Sequence, residues 1–358
     1  MKITIAGRFF PFSHRAGTHV LIPKTQIVAE IYPSFIRFHN CESPGIYELD
    51  IQTGGYVDGF TIIQDLEKHV IRVFGTSSSG YISYELQYSQ GYIMLHLIRA
   101  KNSLNMIFQG KSETIWPKGN LQLIAVTKCV DLGLPRLAFG IHKLQNIDHI
   151  AIRKDLREII PFLYRIGKLS PTDLRDIEPG TTGELVQKIR DRIQIRDKMG
   201  LTLALREFFF IAIRDLFVPQ LFDYRLQGSF TPPDTSKLHY DTNLLSEVAV
   251  LIESLFLEER GNSLFLLPLL LPTLHAGRFV NLSTQAKKYT LDMEWRSHKL
   301  RKVIFYSYDT CEYHFNLPKP LRTFRMKSSK KDPGIVVHTG DLISVKKDSN
   351  YFFDRFQI

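Results

Sequence analysis

The side chains best suited to chemistry in this sequence are carboxylates inside apolar, helix-forming stretches. Glu207 lies in an otherwise apolar stretch, where burial would favour the protonated form that a general acid needs. The alternative is an ion pair of Glu207 with Arg206 or Arg214, because structural ion pairs also occupy such positions. Glu207 is therefore the candidate catalytic residue.

Two further groups of carboxylates could do the same chemistry. Asp155 and Glu158 are three residues apart and would share one helical face, where they could equally form a salt-bridged stripe with neighbouring arginines. Asp173, Asp176 and Glu178 fall in an expected loop, where functional residues often concentrate but polar surface turns are also common. The sequence leaves both alternatives open for each group.

A polar segment at residues 140–146 follows an expected strand and precedes an expected helix. Its His142, Lys143 and Gln145 side chains are candidate ligand-binding residues, which could hydrogen-bond hydroxyl groups or an anion at the helix start. Asn146 could instead cap the helix, which would leave the other side chains merely solvated.

His14 and Arg15 lie in a second polar loop, which contains a glycine and connects expected strands. They are the other candidate ligand-binding residues, although the loop could be a plain connection. His14 and His19 are five residues apart without a carboxylate at zinc-ligand spacing, so no metal site is predicted. The sequence has no G-x-S-x-G motif, P-loop or G-x-G-x-x-G loop, and no cofactor is expected.

Composition predicts a globular chain of two or three domains in the cytoplasm. Of its 358 residues, 44% are hydrophobic and 23% are charged, which is ordinary for such proteins. Cys41, Cys129 and Cys311 are widely spaced and form no C-x-x-C pair, which favours reduced thiols. The N-terminus does not resemble a signal peptide, and the longest apolar run, at 264–271, is too short for a membrane helix.

The net charge of +10 is concentrated near the C-terminus. Residues 287–331 contain twelve Lys and Arg against four Asp and Glu. This stretch could bind an anion or a nucleic acid. The alternative is a solvated strand face whose lysines discourage edge pairing.

Three segments of different character predict an α+β multidomain fold. Residues 1–145 favour an antiparallel β-sandwich, because short β-branched and aromatic stretches alternate with small-residue turns. One hairpin is expected to join residues 81–88 to residues 92–98. Residues 146–263 favour a short helical domain, and residues 264–358 favour a small β-domain.

Helix boundaries in the middle segment follow from capping residues and breakers. Pro161 is expected to split the first helical pattern or to start a second helix. Asp241 and Thr242 are expected to cap a helix that ends at Gly261. The stretch 202–217 is apolar nearly all round, which predicts a helix buried on most sides.

Part of the C-terminal half resembles glycoside hydrolases with an (α/α)6 barrel, and most closely the inverting α-L-fucosidase type. The similarity covers residues 244–307, where a helix, a leucine- and proline-rich strand and a basic β-domain follow one another. The matching positions are Leu266-Leu267-Pro268, Leu271-Pro272, Gly277-Arg278, Asp292-Met293-Glu294-Trp295 and the basic run Lys299–Lys302. The N-terminal residues 8–18 also resemble a chlamydial protein family to which no activity is assigned.

The resemblance implies carbohydrate chemistry without a complete catalytic barrel. Twelve barrel helices would need more than about 200 residues, whereas residues 146–263 comprise 118. The expected function is therefore that of a degenerate, glycan-binding protein whose partner is a glycan or oligosaccharide. An active glycosidase with two carboxyl groups about 6.5–9.5 Å apart, or an anion-binding scaffold, are the alternatives. A protein partner stays open, whereas nucleic acid and membrane are disfavoured.

Overall fold

The computed structural model describes residues 2–41, 45–126, 135–171, 181–221, 239–283, 288–329 and 331–358. Antiparallel sheets come first, five short helices lie in the middle of the described chain, and a β-rich region follows. The predicted α+β fold class is confirmed. Among the described helices, none combines the length and the apolar character needed to cross a bilayer.

The N-terminal strands form a sandwich of two six-stranded antiparallel sheets. They are β1 (Phe12–Ser13), β2 (Thr18–Leu21), β3 (Ile27–Ile31), β4 (Phe35–Asn40), β5 (Ile46–Ile51), β6 (Val57–Asp65), β7 (Val70–Ser77), β8 (Gly80–Ser89), β9 (Tyr92–Arg99), β10 (Leu104–Phe108), β11 (Lys111–Ile115) and β12 (Asn120–Ala125). Sheet I has the order β1-β6-β7-β8-β9-β12, and sheet II has the order β11-β10-β5-β4-β3-β2. The buried amide Nε2 of Gln64 in sheet I donates to Leu21 O in sheet II at 2.8 Å, which links the two sheets.

The predicted hairpin at residues 81–98 is confirmed as β8 and β9. Ser89 pairs with Tyr92 across a two-residue turn. Gln90 and Gly91 have φ values of 51° and 87° in this turn. Two consecutive left-handed residues match the twist of the flanking strands, which is why glycine is favoured here.

The C-terminal strands form a seven-stranded sheet and a four-stranded sheet. They are β17 (Leu257–Arg260), β18 (Ser263–Leu266), β19 (Ala276–Leu282), β20 (Tyr289–Arg296), β21 (Lys299–Ser307), β22 (Cys311–Asn316), β23 (Thr323–Lys327), β24 (Ile335–His338), β25 (Leu342–Val345) and β26 (Ser349–Gln357). The seven-stranded sheet III begins with β13 (Arg136–Ala138), which precedes all the helices, and has the order β13-β19-β20-β21-β26-β23-β24. The smaller sheet IV has the order β17-β18-β22-β25, with β18 and β22 parallel.

The middle of the chain contains the helices and three very short strands. The elements are α1 (Ile147–Arg153), α2 (Leu156–Lys168), α3 (Thr181–Gln194), α4 (Lys198–Ala212), β14 (Ile213–Arg214), β15 (Val218–Leu221), β16 (His239–Tyr240) and α5 (Thr242–Ser254). Strands β14, β15 and β16 form a small antiparallel sheet. It reaches the sandwich through a hydrogen bond of 3.2 Å from Leu216 N to His19 O.

The first helical stretch is interrupted at Lys154, seven residues before Pro161. This corrects the expectation that Pro161 splits it or starts a second helix. Lys154 adopts a left-handed conformation after α1, and Asp155 then caps α2 by accepting a hydrogen bond from Arg157 N at 3.0 Å. Pro161 lies inside α2, where it removes one backbone donor without ending the helix. A cap that satisfies the free N–H groups of the first turn therefore decides this boundary.

Two further helix predictions need partial correction. Asp241 does cap α5, but this helix ends at Ser254, and Gly261 instead lies in the turn between β17 and β18. The expected long buried helix at residues 202–217 ends at Ala212, and Leu203 is 61% exposed. The apolar residues of α4 therefore face solvent as well as the core.

Close approach of α2 and α5 depends on Gly167. A Cβ atom at this position would overlap Leu245 O and would lie 2.8 Å from the Ala249 Cβ. The same helices are joined by Glu253, which accepts from Tyr164 Oη at 2.7 Å and from Lys168 Nζ at 2.8 Å. The absence of a side chain at Gly167 therefore allows α2 and α5 to approach this closely.

We expect Gly167→Ala to destabilise the protein by about 1–2 kcal/mol, although the same change in an open helix stabilises by about 1 kcal/mol. The added methyl group would overpack the contact with α5. Urea unfolding measures the resulting decrease in the free energy of unfolding. Leu203→Ala on the exposed face of α4 is the control and should change stability by less than about 0.5 kcal/mol. A Gly167→Ala variant as stable as the parent would contradict this account of the helix contact.

Candidate functional site

A cavity of about 750 Å³ lies where the N-terminal segment, the helices and sheet III meet. One wall is formed by residues 5–10, and a second by the connection 138–145 between β13 and α1. Residues 276–278 of β19, residues 294–296 of β20 and the first turns of α2 complete it. We call this space the junction cavity.

Gln145 holds the N-terminal segment against the connection before α1. Its Oε1 atom accepts from Phe10 N at 2.8 Å, and its Nε2 atom donates to Arg8 O at 2.7 Å. The backbone of Gln145 adds a third bond, because its carbonyl accepts from Phe12 N at 3.0 Å. The side-chain amide thus satisfies two backbone groups in the way a neighbouring strand would.

Two arginines hold the start of the same segment. Arg136 of β13 donates to Gly7 O at 2.6 Å and to Ile5 O at 3.3 Å. Arg278 of β19 donates to Thr4 O at 3.1 Å. The cavity wall at residues 5–10 is therefore positioned by side chains that come from strands far along the chain.

The floor of the junction cavity is aromatic. Trp295 is 1% exposed, and its Nε1 donates to Leu274 O at 2.9 Å. Its ring contacts those of Phe139 and Phe256 at centroid distances of 6.1 and 5.3 Å. A side chain at Gly277 would overlap the Trp295 ring, so only glycine allows this packing.

Phe10 is the aromatic side chain of the cavity with a solvent-facing ring. It is 38% exposed, and the Arg8 guanidinium lies 5.7 Å from its ring centroid. An exposed ring beside a cation can stack on a ligand while the cation binds a charged or polar group of it.

Cations outnumber carboxylates around the junction cavity. The lining side chains with a positive charge are Arg8, Lys143, Arg157, Arg278 and Arg296, and those with a negative charge are Glu158 and Glu294. Arg296 is exposed and forms no ion pair with any residue in the described part of the chain. The excess of positive charge would attract an anion into the cavity.

The carboxylates near the cavity are engaged by these and other cations. Glu158 is 7% exposed and accepts from Arg153 Nε at 2.7 Å and Nη2 at 2.8 Å, with Lys143 Nζ at 3.7 Å. The guanidinium of Arg157 hydrogen-bonds Asp155 and thereby lowers the pKa of that carboxyl group against the opposing effect of burial; Lys143 also contributes. Glu294 lies 3.3 Å from Arg278.

The structure brings together three of the five ligand-binding candidates. His142, Lys143 and Gln145 line the junction cavity. Gln145 acts there through the backbone hydrogen bonds that position the wall. Asn146 caps α1 by accepting from Asp148 N at 2.9 Å and His149 N at 3.2 Å, so these N–H groups are not available to an anion.

His14 and Arg15 lie outside the junction cavity. His14 Nδ1 is 3.0 Å from Thr61 Oγ1 in sheet I. Arg15 forms ion pairs with Asp215 at 2.8 Å and with Asp148 at 3.3 Å. These contacts tie the loop after β1 to the helical region.

Glu207, the candidate catalytic residue, is on the surface of α4. Its side chain is 36% exposed and pairs with Lys188 of α3, whereas the sequence suggested Arg206 or Arg214 as partners. It does not line the junction cavity. Asp173, Asp176 and Glu178 lie outside the described residues.

The basic C-terminal stretch divides between different environments. Lys299 and Arg301 are exposed on β21 and alternate with the buried Leu300 and Val303. Arg325 instead forms a two-fold hydrogen bond with Asp354 at 2.7 and 2.8 Å. Arg296 reaches the junction cavity.

Sequence reasoning missed Phe10, Arg8 and Arg278 as cavity residues. Arg8 and Phe10 appeared only within the N-terminal resemblance and Arg278 only within the C-terminal one, and neither resemblance indicated a cavity. Their meeting depends on which strands pair, so spacing along the chain carries no signal for it. No family model matches this sequence, and a search of curated proteins finds no similar sequence.

We expect Glu158→Gln and Glu207→Gln to have very different effects on stability. Glu158→Gln removes the charge that accepts two hydrogen bonds from Arg153 and should lower the free energy of unfolding by about 2 kcal/mol. Glu207→Gln removes one exposed ion pair and should change it by less than about 0.5 kcal/mol. Urea unfolding of both variants measures this, and equal losses would contradict the assigned difference in burial.

Proposed function

We propose that this protein binds a saccharide that carries an anionic group, in the junction cavity, without hydrolysing it. The observation that carries the proposal is a cavity of about 750 Å³ with an excess of cations and one exposed aromatic ring. Ligand pockets commonly span about 300–1,000 Å³, so the space suits a mono- or disaccharide.

Charge favours an acidic ligand. Arg296 has no ion-pair partner among the described residues, and Arg8 and Arg278 hold their carboxylates at 3.2 and 3.3 Å through groups that are about half exposed. Exposed pairs of this kind are weak, so an incoming phosphate or carboxylate can compete for the guanidinium groups. Arginine also binds both kinds of group in a bidentate manner.

A carbohydrate fits the remaining features of the cavity. The ring of Phe10 offers a flat apolar surface for the C–H face of a sugar. His142 and Lys143 line the same cavity and can donate hydrogen bonds to hydroxyl groups. A carbohydrate is also the class of ligand that the resemblance of residues 244–307 to glycoside hydrolases implies.

The carboxylates of the cavity favour binding over hydrolysis. Glycoside hydrolysis needs one carboxyl group that donates a proton and a second that acts as base or nucleophile. Glu158 accepts two hydrogen bonds from Arg153, and Glu294 is paired with Arg278. Glu158 is thus held in a buried ion pair, which leaves Glu294, with its exposed pair, as the one carboxylate that a ligand can meet; one carboxyl group does not supply the two that hydrolysis needs.

We expect sugar phosphates or uronic acids to raise the melting temperature of the protein, and the neutral parent sugars to do so less. A ligand at 100 times its Kd adds about 2.7 kcal/mol to stability, which a thermal-shift panel detects. Arg296→Ala and Phe10→Ala should each weaken binding of the acidic sugar about tenfold or more, because a charge-assisted bond or an aromatic contact is lost.

Arg301→Ala is the matched control, since Arg301 is an exposed arginine on the neighbouring strand β21 and does not line the cavity. It should leave affinity unchanged. The absence of any shift across the panel, or equal affinity for acidic and neutral sugars, would refute the proposal. Release of free sugar from an oligosaccharide would refute its non-hydrolytic part.

A further inference from the structure

A second group of polar side chains, separate from the junction cavity, lies on sheet II. His19 of β2, Glu30 of β3 and His39 of β4 each place one nitrogen or oxygen atom within 4.8 Å of those of the other two. His19 Nε2 is 4.0 Å from Glu30 Oε1, and His39 Nε2 is 3.6 Å from Glu30 Oε2. Both separations exceed a hydrogen bond.

Strand register brings these three residues to one face. His19 is directly opposite Glu30 in the β2–β3 pair. In the β3–β4 pair, Glu30 is opposite Arg37, and His39 is two residues further along. Residues two apart on a strand share a face, so His39 is the diagonal neighbour of Glu30.

The small sheet of the helical region covers this face. Tyr240 of β16 is 5% exposed, and its ring lies 6.0 Å from that of His19 and 5.9 Å from that of His39. His19 is 4% exposed. His39 Nε2 is shut off from solvent and has no hydrogen-bond partner among the residues that the structure describes.

Asp215 orients the His19 ring. Its Oδ2 atom is 3.0 Å from His19 Nδ1 and also accepts from His19 N at 3.0 Å. A carboxylate can only accept, so the neutral His19 ring carries its proton on Nδ1, and Nε2, the nitrogen nearer Glu30, is the one that can bind a metal. A carboxylate behind a histidine in this way is typical of metal-binding histidines.

Glu30 is held in a similar manner. Tyr32 Oη donates to Oε1 at 2.8 Å, and Arg37 Nη1 donates to Oε2 at 3.3 Å. Each carboxylate oxygen has a second lone pair, so these bonds fix the carboxylate and still allow it to bind a metal.

We propose that His19, Glu30 and His39 form a binding site for a zinc ion, with Asp215 positioning His19. Two imidazoles and one carboxylate are a ligand set that zinc uses, with a water molecule in the fourth position. Zn–N bonds of about 2.0–2.1 Å put tetrahedral ligand atoms roughly 3.3 Å apart. The present separations of 3.6 and 4.0 Å close to that value by small side-chain movements.

The ligand set also predicts selectivity. Magnesium and calcium prefer oxygen ligands, whereas two imidazoles favour zinc and other late transition metals. Ferrous iron uses the same residue types, and Co²⁺ can report tetrahedral coordination through its visible absorption. The site is built from sheet II and therefore does not depend on the saccharide proposal.

The test uses the full chain without a histidine tag, stripped with EDTA and titrated with Zn²⁺ in competition with a chromogenic chelator. We expect one zinc ion per chain with micromolar or tighter affinity, a higher melting temperature with Zn²⁺ and no effect of Mg²⁺. Zinc binding no tighter than that of Mg²⁺, or a stoichiometry well below one, would overturn the proposal.

Three variants separate a metal site from adventitious binding. His39→Ala, which changes the most exposed of the three ligands, and Glu30→Gln should each abolish tight binding. Asp215→Asn should weaken it about 10–100-fold, as loss of a positioning carboxylate does. His149→Ala, which removes an exposed histidine on α1, is the matched control and should bind zinc like the parent.

Circular dichroism confirms that each variant is folded before titration. If a variant does not fold, the parent titration and the tetrahedral Co²⁺ spectrum still decide the proposal. Unchanged affinity in folded His39→Ala or Glu30→Gln would show that zinc binds elsewhere and would overturn it.

Discussion

The pairing of β13 with β19 is the constraint on which the architecture depends. Arg136, Leu137 and Ala138 form a ladder with Val280, Phe279 and Arg278, so residues far apart in sequence become neighbours in sheet III. The helical region, followed by β17 and β18, lies between these two strands in sequence, so the start and the end of this stretch are joined at one end of sheet III. The connection after β13 runs beside β19 and β20 for the same reason, and the junction cavity opens there.

Gln145 attaches the N-terminal segment to the connection that follows β13. Its amide bonds the backbone of Arg8 and Phe10, and this replaces a strand pairing at a place where no strand continues. Backbone groups that lose water need such partners, because an unsatisfied buried group costs about 1–3 kcal/mol. The polar side chain of Gln145, although it lies next to the cavity, therefore acts by positioning the cavity wall.

The two proposed sites use charge in different ways. Around the junction cavity, guanidinium groups are exposed or weakly paired, so a ligand can reach them. On sheet II, His19 is buried beside Tyr240 of β16, Asp215 orients the His19 ring, and the Tyr32 hydroxyl orients the carboxylate of Glu30. A small ion suits the second environment, since His19 and Tyr240 are buried and the three ligand atoms lie within 4.8 Å of one another.

Local patterns in the sequence predicted local structure well. Alternation and turn residues predicted the β8–β9 hairpin, Asn146 and Asp241 were correctly assigned as possible caps, and the α+β order of the three segments was confirmed. Each of these depends on hydrogen bonds or burial within a few residues. The end of α5 was wrong because β17 pairs with β18 and takes the residues that the helix would need.

The sequence by itself determined the segments, their caps and turns, and the residue types available for binding. Only the tertiary structure decided which of those residues meet. Lys143 and Arg296 share a cavity, and His19 faces Glu30 and His39, because strand register and long-range pairing set these distances. The pattern of residues along one sequence does not show which register two distant strands adopt. In the folded chain, burial of the paired faces selects one register.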